Sequence, residues 1–399
     1  MDNQIVKFIS LQDDVLHSGK LGLLCNQTSY DFVNGKYLFE ILSGKRKLRR
    51  LFLPEHGLFS ELQDQVSLNV TDAYKELAEN VEFISLYQDH ENSLRIDPSD
   101  LIDLDCLIID IQDVGCRYFT YITTIFYIFE AIVQHKLSIA VYVIDRPNPA
   151  GRRVEGTLLQ EKYISFVGVR GIPNRQGLTI GEMCLFLKDM TGGKFDLKVI
   201  ALDYEYKTFT IQPSPNIPTK TTAELYSGQC LFEGTILSEG RGTVRPFEII
   251  GAPFISWKNL KKIKLDFENS CRKIKKLADG IKLREMCFIP TFHKFKNEKC
   301  RGFQLHLTGE KFHSLLYSAT LLKVLNELVD EDIWRRGKYE HGSDLTALEI
   351  LVGDELILNY IYGKEKLKNV TDELKYQEND WIKTANYYKI YNDNLYSLI

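Results

Sequence analysis

The sequence of 399 residues lacks several features that would assign a class of protein directly. No stretch reaches the roughly 18 apolar residues that a membrane-spanning helix requires. The N-terminal "MDNQIVKFISLQDD" has no apolar core of a secretory signal. We therefore expect a cytoplasmic protein with no membrane partner, or an exported one if a signal has been removed upstream.

Two further absences concern metal and nucleic-acid binding. The eight cysteines form no C-x-x-C pair, which indicates buried free thiols and not a zinc site. Lysine and arginine form one short block, "GKRKLRR" at residues 44–50, and no basic groove, so we expect no nucleic-acid partner.

Common nucleotide and hydrolase motifs are also missing. The segment after the first apolar run, "CNQTSYDF", has no glycine that would let a pyrophosphate approach the backbone. The chain contains no P-loop lysine motif and no G-x-S-x-G elbow. We therefore expect no cofactor and no metal.

Short continuous apolar runs alternate with helical stretches through the first half of the chain. The runs lie at 20–26, 49–57, 81–87, 105–115 and 137–149. Strands that are buried on both faces have this pattern, and their alternation with helices predicts a parallel sheet. After the proline-rich "PSPNIPT", lysine-rich helices and isolated strands follow. We predict an α/β protein with a Rossmann-like domain at 1–212 and a smaller α+β domain at 213–399 that completes a cleft.

Polar side chains follow four of the predicted strands. In an open parallel sheet, ligands bind beyond the carboxyl ends of the strands, so these residues are candidates for a functional site. They are Asn26, Glu55, His56, Asp113, Asp145, Arg146 and Asn148.

Further acids lie beside glycines downstream, where a ligand can approach the backbone. Glu155, Glu233 and Glu239 have this setting, and Arg241 between two glycines is a candidate partner for a substrate carboxylate. Glu182 follows Thr179 by three residues, which predicts a helix capping box and a structural role. Because the reactive groups are carboxylates, glycosidic hydrolysis by paired acids suits the chain.

Several motifs in the same order resemble a known family. They include "GLLCNQTS", "LFLPEHGLF", "DIQDVGCRYFTY", "VIDRPNP", "VEGTLL", "PSPNIPT" and "LFEGTILSEGRGT". They are similar to the bacterial exo-β-N-acetylmuramidases of peptidoglycan turnover. The resemblance implies a Rossmann-like domain, a smaller second domain and a cleft between them. It also implies release of terminal N-acetylmuramic acid from the non-reducing end of peptidoglycan fragments, with a muropeptide or sugar as the partner.

The resemblance also assigns site residues, position by position. Glu55 in "PEHG" matches the glutamate that we expect to be the principal catalytic residue, and His56 is expected to orient the acid or the sugar. The other matches are candidates for substrate binding. They are Asp113, Arg117, Tyr118, Tyr121, Asp145, Arg146, Asn148, Asn216, Glu233, Glu239 and Arg241, together with Asn26.

The sequence leaves the second catalytic group open. Glu155 is the first candidate, followed by Asp113 or Glu239, and the acetamido group of the substrate is a third possibility. Gln176 and Ile236 replace the histidine and asparagine that the family usually has, which puts substrate preference in doubt.

Two other functions stay open. Asp110 and Asp113, with Glu55 or Asp145, can hold Mg²⁺ for metal-assisted hydrolysis, or the protein binds muropeptides without turnover. The oligomeric state is not indicated.

Overall fold

The computed structural model describes most of the chain, with gaps at 1–3, 13–18, 46–47, 63–73, 75, 79, 88–93, 203–207, 275–277, 338 and 340–343. None of its described helices is long and apolar enough to cross a membrane.

A six-stranded parallel sheet organises the first half. Its strands are β1 (Leu21–Cys25), β4 (Leu48–Leu53), β5 (Glu82–Ser85), β6 (Cys106–Asp110), β7 (Ala140–Ile144) and β8 (Leu197–Ile200). Their order in the sheet is β5-β4-β1-β6-β7-β8, and every neighbouring pair is parallel. Successive strands therefore extend the sheet to one side of β1 (β4, β5) and then to its other side (β6, β7, β8), as in Rossmann folds. The topological switch point lies between β1 and β6. A hairpin of β2 (Tyr30–Asp31) and β3 (Lys36–Tyr37) follows β1.

Helices cover both faces of this sheet. α1 (Gln4–Leu11) and α2 (Leu38–Lys45) pack on one face, whereas α3 (Tyr121–Gln134) and α4 (Ile180–Met190) pack on the other. Along β6, Cys106 and Ile108 pack into the hydrophobic core on the face covered by α1 and α2. Leu107 and Ile109 pack into the core on the face covered by α3 and α4. Because both faces are buried, the strands read as continuous apolar runs. The predicted parallel sheet is confirmed, and so is the capping box of Thr179 and Glu182 at the start of α4.

The second half combines a small antiparallel sheet with helices. β9 (Ile249–Ala252), β10 (Ile281–Phe288) and β11 (Cys300–Leu307) pair in the order β10-β11-β9. The helices are α5 (Lys220–Gln229), α6 (Trp257–Cys271), α7 (Ser314–Leu328), α8 (Ala347–Val352), α9 (Glu355–Ile361) and α10 (Leu367–Asn386). α7 packs against α5, α6 and α9. The expected α/β domain with a smaller α+β domain is confirmed as a fold class.

The two halves share one core and exchange contacts. A single cluster of buried side chains runs from Phe52 and Ile109 in the parallel sheet to Trp381 in α10. After α10 the chain returns to the first half, where the Tyr391 hydroxyl donates to Asp145 and Arg152 pairs with Asp393. Residues 213–399 therefore pack continuously on the sheet, and the boundary at 213 stays a prediction.

Candidate functional site

The turn after β4 holds Glu55 at the carboxyl edge of the sheet. The amide of Gly57 donates to the carbonyl of Pro54 at 3.2 Å, which closes the turn. His56 has φ 76° and Gly57 has φ 83°, so two consecutive residues adopt the left-handed conformation. This conformation costs a non-glycine residue about 1–2 kcal/mol. His56 is retained there by Leu62, whose carbonyl bonds its Nδ1 at 3.1 Å and whose amide donates to its carbonyl at 3.2 Å.

The carboxylate of Glu55 meets the start of α3. The hydroxyl of Thr120, which directly precedes that helix, donates to Oε2 of Glu55 at 2.7 Å. Within the described part of the chain, Glu55 Oε1 has no hydrogen-bond partner. Glu55 is only half-buried and lines a cleft between the sheet edge and the second half. One oxygen is therefore fixed, and the other is available to a ligand.

A second polar cluster lines the same cleft. Arg241 donates through Nη2 to Oε1 of Glu233 at 2.8 Å, and the hydroxyl of Tyr339 donates to Oε2 of Glu233 at 2.5 Å. Aromatic and small polar side chains complete the lining. They are Tyr118, Phe119, Tyr226, Phe247, Thr120, Ser214 and Asn216, together with the aliphatic Val167 and Ile217. The cleft therefore brings together six of the predicted site residues, namely Glu55, His56, Tyr118, Asn216, Glu233 and Arg241.

Asn26 and Tyr121 lie beneath the cleft instead of lining it. Asn26 donates to the Tyr121 hydroxyl at 2.9 Å, and that hydroxyl donates to the Pro213 carbonyl at 3.1 Å. Ser60 donates to the same carbonyl at 3.2 Å. These bonds attach the proline-rich segment to the strand ends, and Asn216 reaches the cleft from that segment.

The polar residues after β6 and β7 bind one another and the backbone. Arg146 Nε donates to Asp110 at 2.7 Å. Asp145 accepts from the Gly181 amide at 2.7 Å and from other donors, and burial raises the pKa of Asp145 to about 6. Asn148 caps its own turn by accepting from the Ala150 amide at 2.9 Å. This arrangement favours a structural role for Asp145, Arg146 and Asn148, which do not line the cleft.

Asp113 and Arg117 are also buried outside the cleft lining. One oxygen of Asp113 accepts from the Gly115 amide at 2.7 Å, and the other has no partner among the described residues. Burial raises the pKa of Asp113 to about 7. Arg117 donates to backbone carbonyls, including those of Leu351 at 3.0 Å and Val352 at 2.9 Å. Arg117 therefore joins the two halves of the chain, and its side chain has no carboxylate partner among the described residues.

Glu155 lies in the interior, where its oxygens are engaged. Arg153 and Arg175 donate to Oε1 at 2.7 and 2.8 Å, and the Leu315 amide donates to Oε2 at 3.2 Å. Burial alone raises the pKa of Glu155, but the charges of His313, Arg153 and Arg175 outweigh it and hold the pKa at about 2. This environment favours a structural ion network over the catalytic role that the sequence suggested.

Glu239 is likewise buried and paired. Lys294 donates to Oε2 at 2.7 Å, and His293 Nδ1 lies 3.1 Å from Oε1. Burial opposes ionisation, but Lys294, His293 and Arg241 outweigh it and hold the pKa of Glu239 well below its usual range. Arg241 Nε lies 3.7 Å from Glu239, so this acid supports the guanidinium that lines the cleft.

The carboxylate of Asp110, which the metal-dependent alternative would use, is engaged by other side chains. Asp110 is occupied by Arg146 and by Ser29, whose hydroxyl donates at 2.5 Å. Throughout the described ranges, no group of three or more His, Cys, Asp or Glu side chains is arranged to hold a metal ion.

The two departures from the family pattern lie outside the cleft lining. Gln176 is fully buried, and its backbone carbonyl accepts from the Trp381 indole at 2.8 Å. Ile236 is half-buried, and its amide donates to the carbonyl of Ile333 at 2.8 Å. Neither side chain is among those that line the cleft with Glu55.

Sequence reasoning missed several polar residues of the cleft, including Thr120 and Tyr339. Thr120 lies within the motif "DIQDVGCRYFTY", so its position before a helix was the available signal. Tyr339 belongs to no motif, and it meets Glu233 only through a contact 106 residues apart in sequence.

A larger groove lies at the opposite end of the sheet, where the strands begin. Its lining includes Asp105, Ala140 and Asp196, at the amino ends of β6, β7 and β8. Because ligands of such sheets bind at the carboxyl ends of the strands, we place the site in the cleft that contains Glu55.

Comparisons with known proteins cover nearly the whole chain. Two structures of DUF1343 family proteins from Bacteroides fragilis NCTC 9343 have the same fold. Their TM-scores are 0.77 and 0.72 at 23% and 24% identity, each over 97% of this chain and 98% of the other.

Sequence comparison is more specific. The peptidoglycan beta-N-acetylmuramidase NamZ of Bacillus subtilis (strain 168) is 33% identical over 357 residues, which is 86% of this chain and 80% of that protein. The family models for the N-terminal and C-terminal parts of exo-beta-N-acetylmuramidase NamZ match residues 21–221 and 224–391. The resemblance stated from the sequence motifs is confirmed, and the chain belongs to the exo-β-N-acetylmuramidase NamZ family.

Proposed function

We propose that this protein is an exo-acting glycoside hydrolase that releases terminal N-acetylmuramic acid from the non-reducing end of peptidoglycan fragments. The bond cleaved is the β-1,4 bond between N-acetylmuramic acid and N-acetylglucosamine. The observation that carries the proposal is the half-buried carboxyl of Glu55, which lines a cleft at the carboxyl edge of a Rossmann-like sheet. The similarity to the Bacillus subtilis enzyme supports the same class of substrate.

Glu55 acts as the general acid and base in this proposal. The rigid turn after β4 fixes its backbone, and the Thr120 hydroxyl fixes Oε2. Oε1 can then donate a proton to the glycosidic oxygen as the bond breaks and can later take a proton from water. A positioned acid of this kind contributes about 10²–10⁴ in rate.

The rest of the cleft binds the sugar. Tyr118, Tyr226 and Phe247 supply aromatic surface, and Asn216 supplies an amide near Glu55. Arg241 is the one arginine or lysine side chain among the described residues that line the cleft. Its charge suits the lactyl carboxylate that distinguishes N-acetylmuramic acid from N-acetylglucosamine. His56 supports the turn that presents Glu55.

Paired chromogenic substrates test this function. The purified protein is incubated with an aryl β-N-acetylmuramide and with the matching β-N-acetylglucosaminide, each with and without EDTA. We expect release from the muramide alone, at a rate that EDTA does not change. Binding of the disaccharide without any turnover contradicts the proposal and identifies a muropeptide-binding protein. Loss of the activity in EDTA and its recovery with Mg²⁺ supports the metal-dependent alternative.

A further inference from the structure

Tyr339 and Glu233 form a short hydrogen bond inside the cleft. The separation of 2.5 Å between the Tyr339 hydroxyl and Glu233 Oε2 is at the short end for a hydroxyl bound to a carboxylate. Glu233 is 6% exposed and Tyr339 is 7% exposed, and both line the cleft with Glu55. The pair is therefore largely shielded from bulk water but borders the space where the sugar binds.

Backbone pairing brings these two distant residues together. Glu233 belongs to a 3₁₀ turn at Cys230–Gly234. The next residues run antiparallel to 333–335, with the Arg335 amide donating to the Gly234 carbonyl at 3.0 Å. The guanidinium of Arg335 also lies 5.1 Å from the centre of the Tyr339 ring.

We propose that Tyr339 is the nucleophile of the glycosidase reaction and that Glu233 is the base that takes its proton. The inference rests on the proposed function and supplies the second catalytic group that the sequence left open. A glycosidase that retains configuration needs a nucleophile as well as an acid, and sialidases use a tyrosine for this purpose. Both oxygens of Glu233 are engaged, by Arg241 and by Tyr339, so the carboxylate is better placed to accept a proton than to attack carbon.

Charge gives a reason for a tyrosine at this place. N-acetylmuramic acid carries a carboxylate, and a carboxylate nucleophile beside it is disfavoured by like-charge repulsion. A phenol is neutral until its proton passes to Glu233. The attacking oxygen therefore carries no charge when the sugar binds, and the carboxylate beside it is paired with Arg241.

The two steps balance as follows. Glu55 is protonated at the start. The Tyr339 oxygen bonds to the anomeric carbon while its proton moves to Glu233 Oε2, the glycosidic bond breaks, and Glu55 protonates the leaving oxygen. Water then attacks the anomeric carbon and gives a proton to Glu55. The bond to Tyr339 breaks, and the phenol recovers its proton from Glu233. The net reaction is hydrolysis with retention of the β configuration.

Substitution of Tyr339 gives the first test. We expect Tyr339→Phe to lower kcat on the aryl muramide by at least 10³-fold with little change in melting temperature. Tyr376→Phe is the matched control, because Tyr376 is exposed on α10. We expect that control to have wild-type activity. A Tyr339→Phe variant that retains more than a tenth of wild-type kcat overturns the inference.

A trapping experiment with the wild-type protein gives a test that does not depend on folding of a variant. The protein is incubated with a fluorinated N-acetylmuramyl fluoride, digested and examined by mass spectrometry, and the first product anomer of the normal reaction is identified by NMR. We expect a glycosyl adduct on the peptide that contains Tyr339 and the β anomer as the first product. An adduct on another residue, an α product, or a retained configuration with no adduct overturns the inference. The last result assigns the attack to the acetamido group of the substrate.

The two proposals fail in different ways. A wild-type protein that does not cleave the muramide contradicts the proposed function itself. A wild-type protein that cleaves it, but without an adduct on Tyr339, contradicts only the assignment of the nucleophile.

Discussion

Replacement of Glu155 by glutamine separates a structural from a catalytic role for this acid. The carboxylate holds Arg153 and Arg175 at 2.7 and 2.8 Å in the interior. The variant keeps the shape of the side chain but removes its charge, so both guanidinium groups lose their charged partner. We therefore expect the folded state to lose stability and the cleft around Glu55 to keep its geometry.

Two independent routes give a similar magnitude for the loss. The pKa of Glu155 falls from 4.5 to about 2 on folding. At about 1.4 kcal/mol per unit, this shift corresponds to roughly 3 kcal/mol of stability. Breaking a buried ion pair by removing one partner costs about 3–5 kcal/mol in other proteins. We expect Glu155→Gln to lose about 3 kcal/mol at pH 7.

The sign of the pH dependence follows from the lowered pKa. A carboxylate whose folded pKa is depressed contributes stability above its unfolded pKa, and the contribution is lost as pH falls through the folded pKa. The difference between wild type and Glu155→Gln is therefore full above pH 4.5 and decreases toward pH 2.

Thermal and denaturant unfolding of the two proteins measure this difference, with activity per folded molecule measured in parallel. Glu298→Gln is the control, because Glu298 is exposed. We expect a clear loss of stability for Glu155→Gln, an unchanged control and near-wild-type kcat below the melting temperature. A variant with wild-type stability and a kcat reduced by orders of magnitude refutes this reasoning and returns Glu155 to the catalytic centre.

Two further predictions concern Thr120 and Asp113. Thr120→Val removes the hydroxyl that fixes Glu55, a bond worth about 1–3 kcal/mol, so we expect kcat to fall roughly 10-fold and Thr120→Ser to restore it. An unchanged kcat and pH–rate profile for Thr120→Val contradicts this role. Since burial raises the pKa of Asp113 to about 7, the wild-type protein loses stability as pH rises from about 4 to about 7. We expect Asp113→Asn to make the unfolding free energy less dependent on pH in that window, and a slope equal to that of wild type contradicts the cause assigned to the shift.

The sequence predicts much of the sheet because burial on both faces leaves a simple pattern. β1, β4, β6 and β7 are continuous apolar runs, and each was predicted. β8 was not, because this short edge strand is only partly buried and alternates in exposure. The position of Glu55 after β4 followed from the same pattern together with the flanking proline and glycine.

Contacts between distant segments explain what the sequence did not predict. Glycines beside Glu155 and Glu239 suggested ligand sites, but Glu155 is engaged by Arg175 and by the amide of Leu315, which lies 160 residues away. The pairing of Glu233 with Tyr339 likewise depends on the packing of two segments in the second half. Local sequence patterns do not predict contacts between residues so far apart in the chain. The sequence therefore identified the candidate acids without separating structural from functional ones.

The most direct test of the account is the rate of Glu55→Gln on the aryl β-N-acetylmuramide. Glu55 contributes one hydrogen bond, from Thr120 at a half-buried position, so we expect a melting temperature close to that of wild type. We expect kcat to fall by about 10²–10⁴ because the general acid and base is lost. The Glu298→Gln protein, with an exposed carboxyl changed in the same way, is expected to keep its full rate. A folded Glu55→Gln protein that retains more than a tenth of wild-type kcat contradicts the assignment of Glu55 as the catalytic residue.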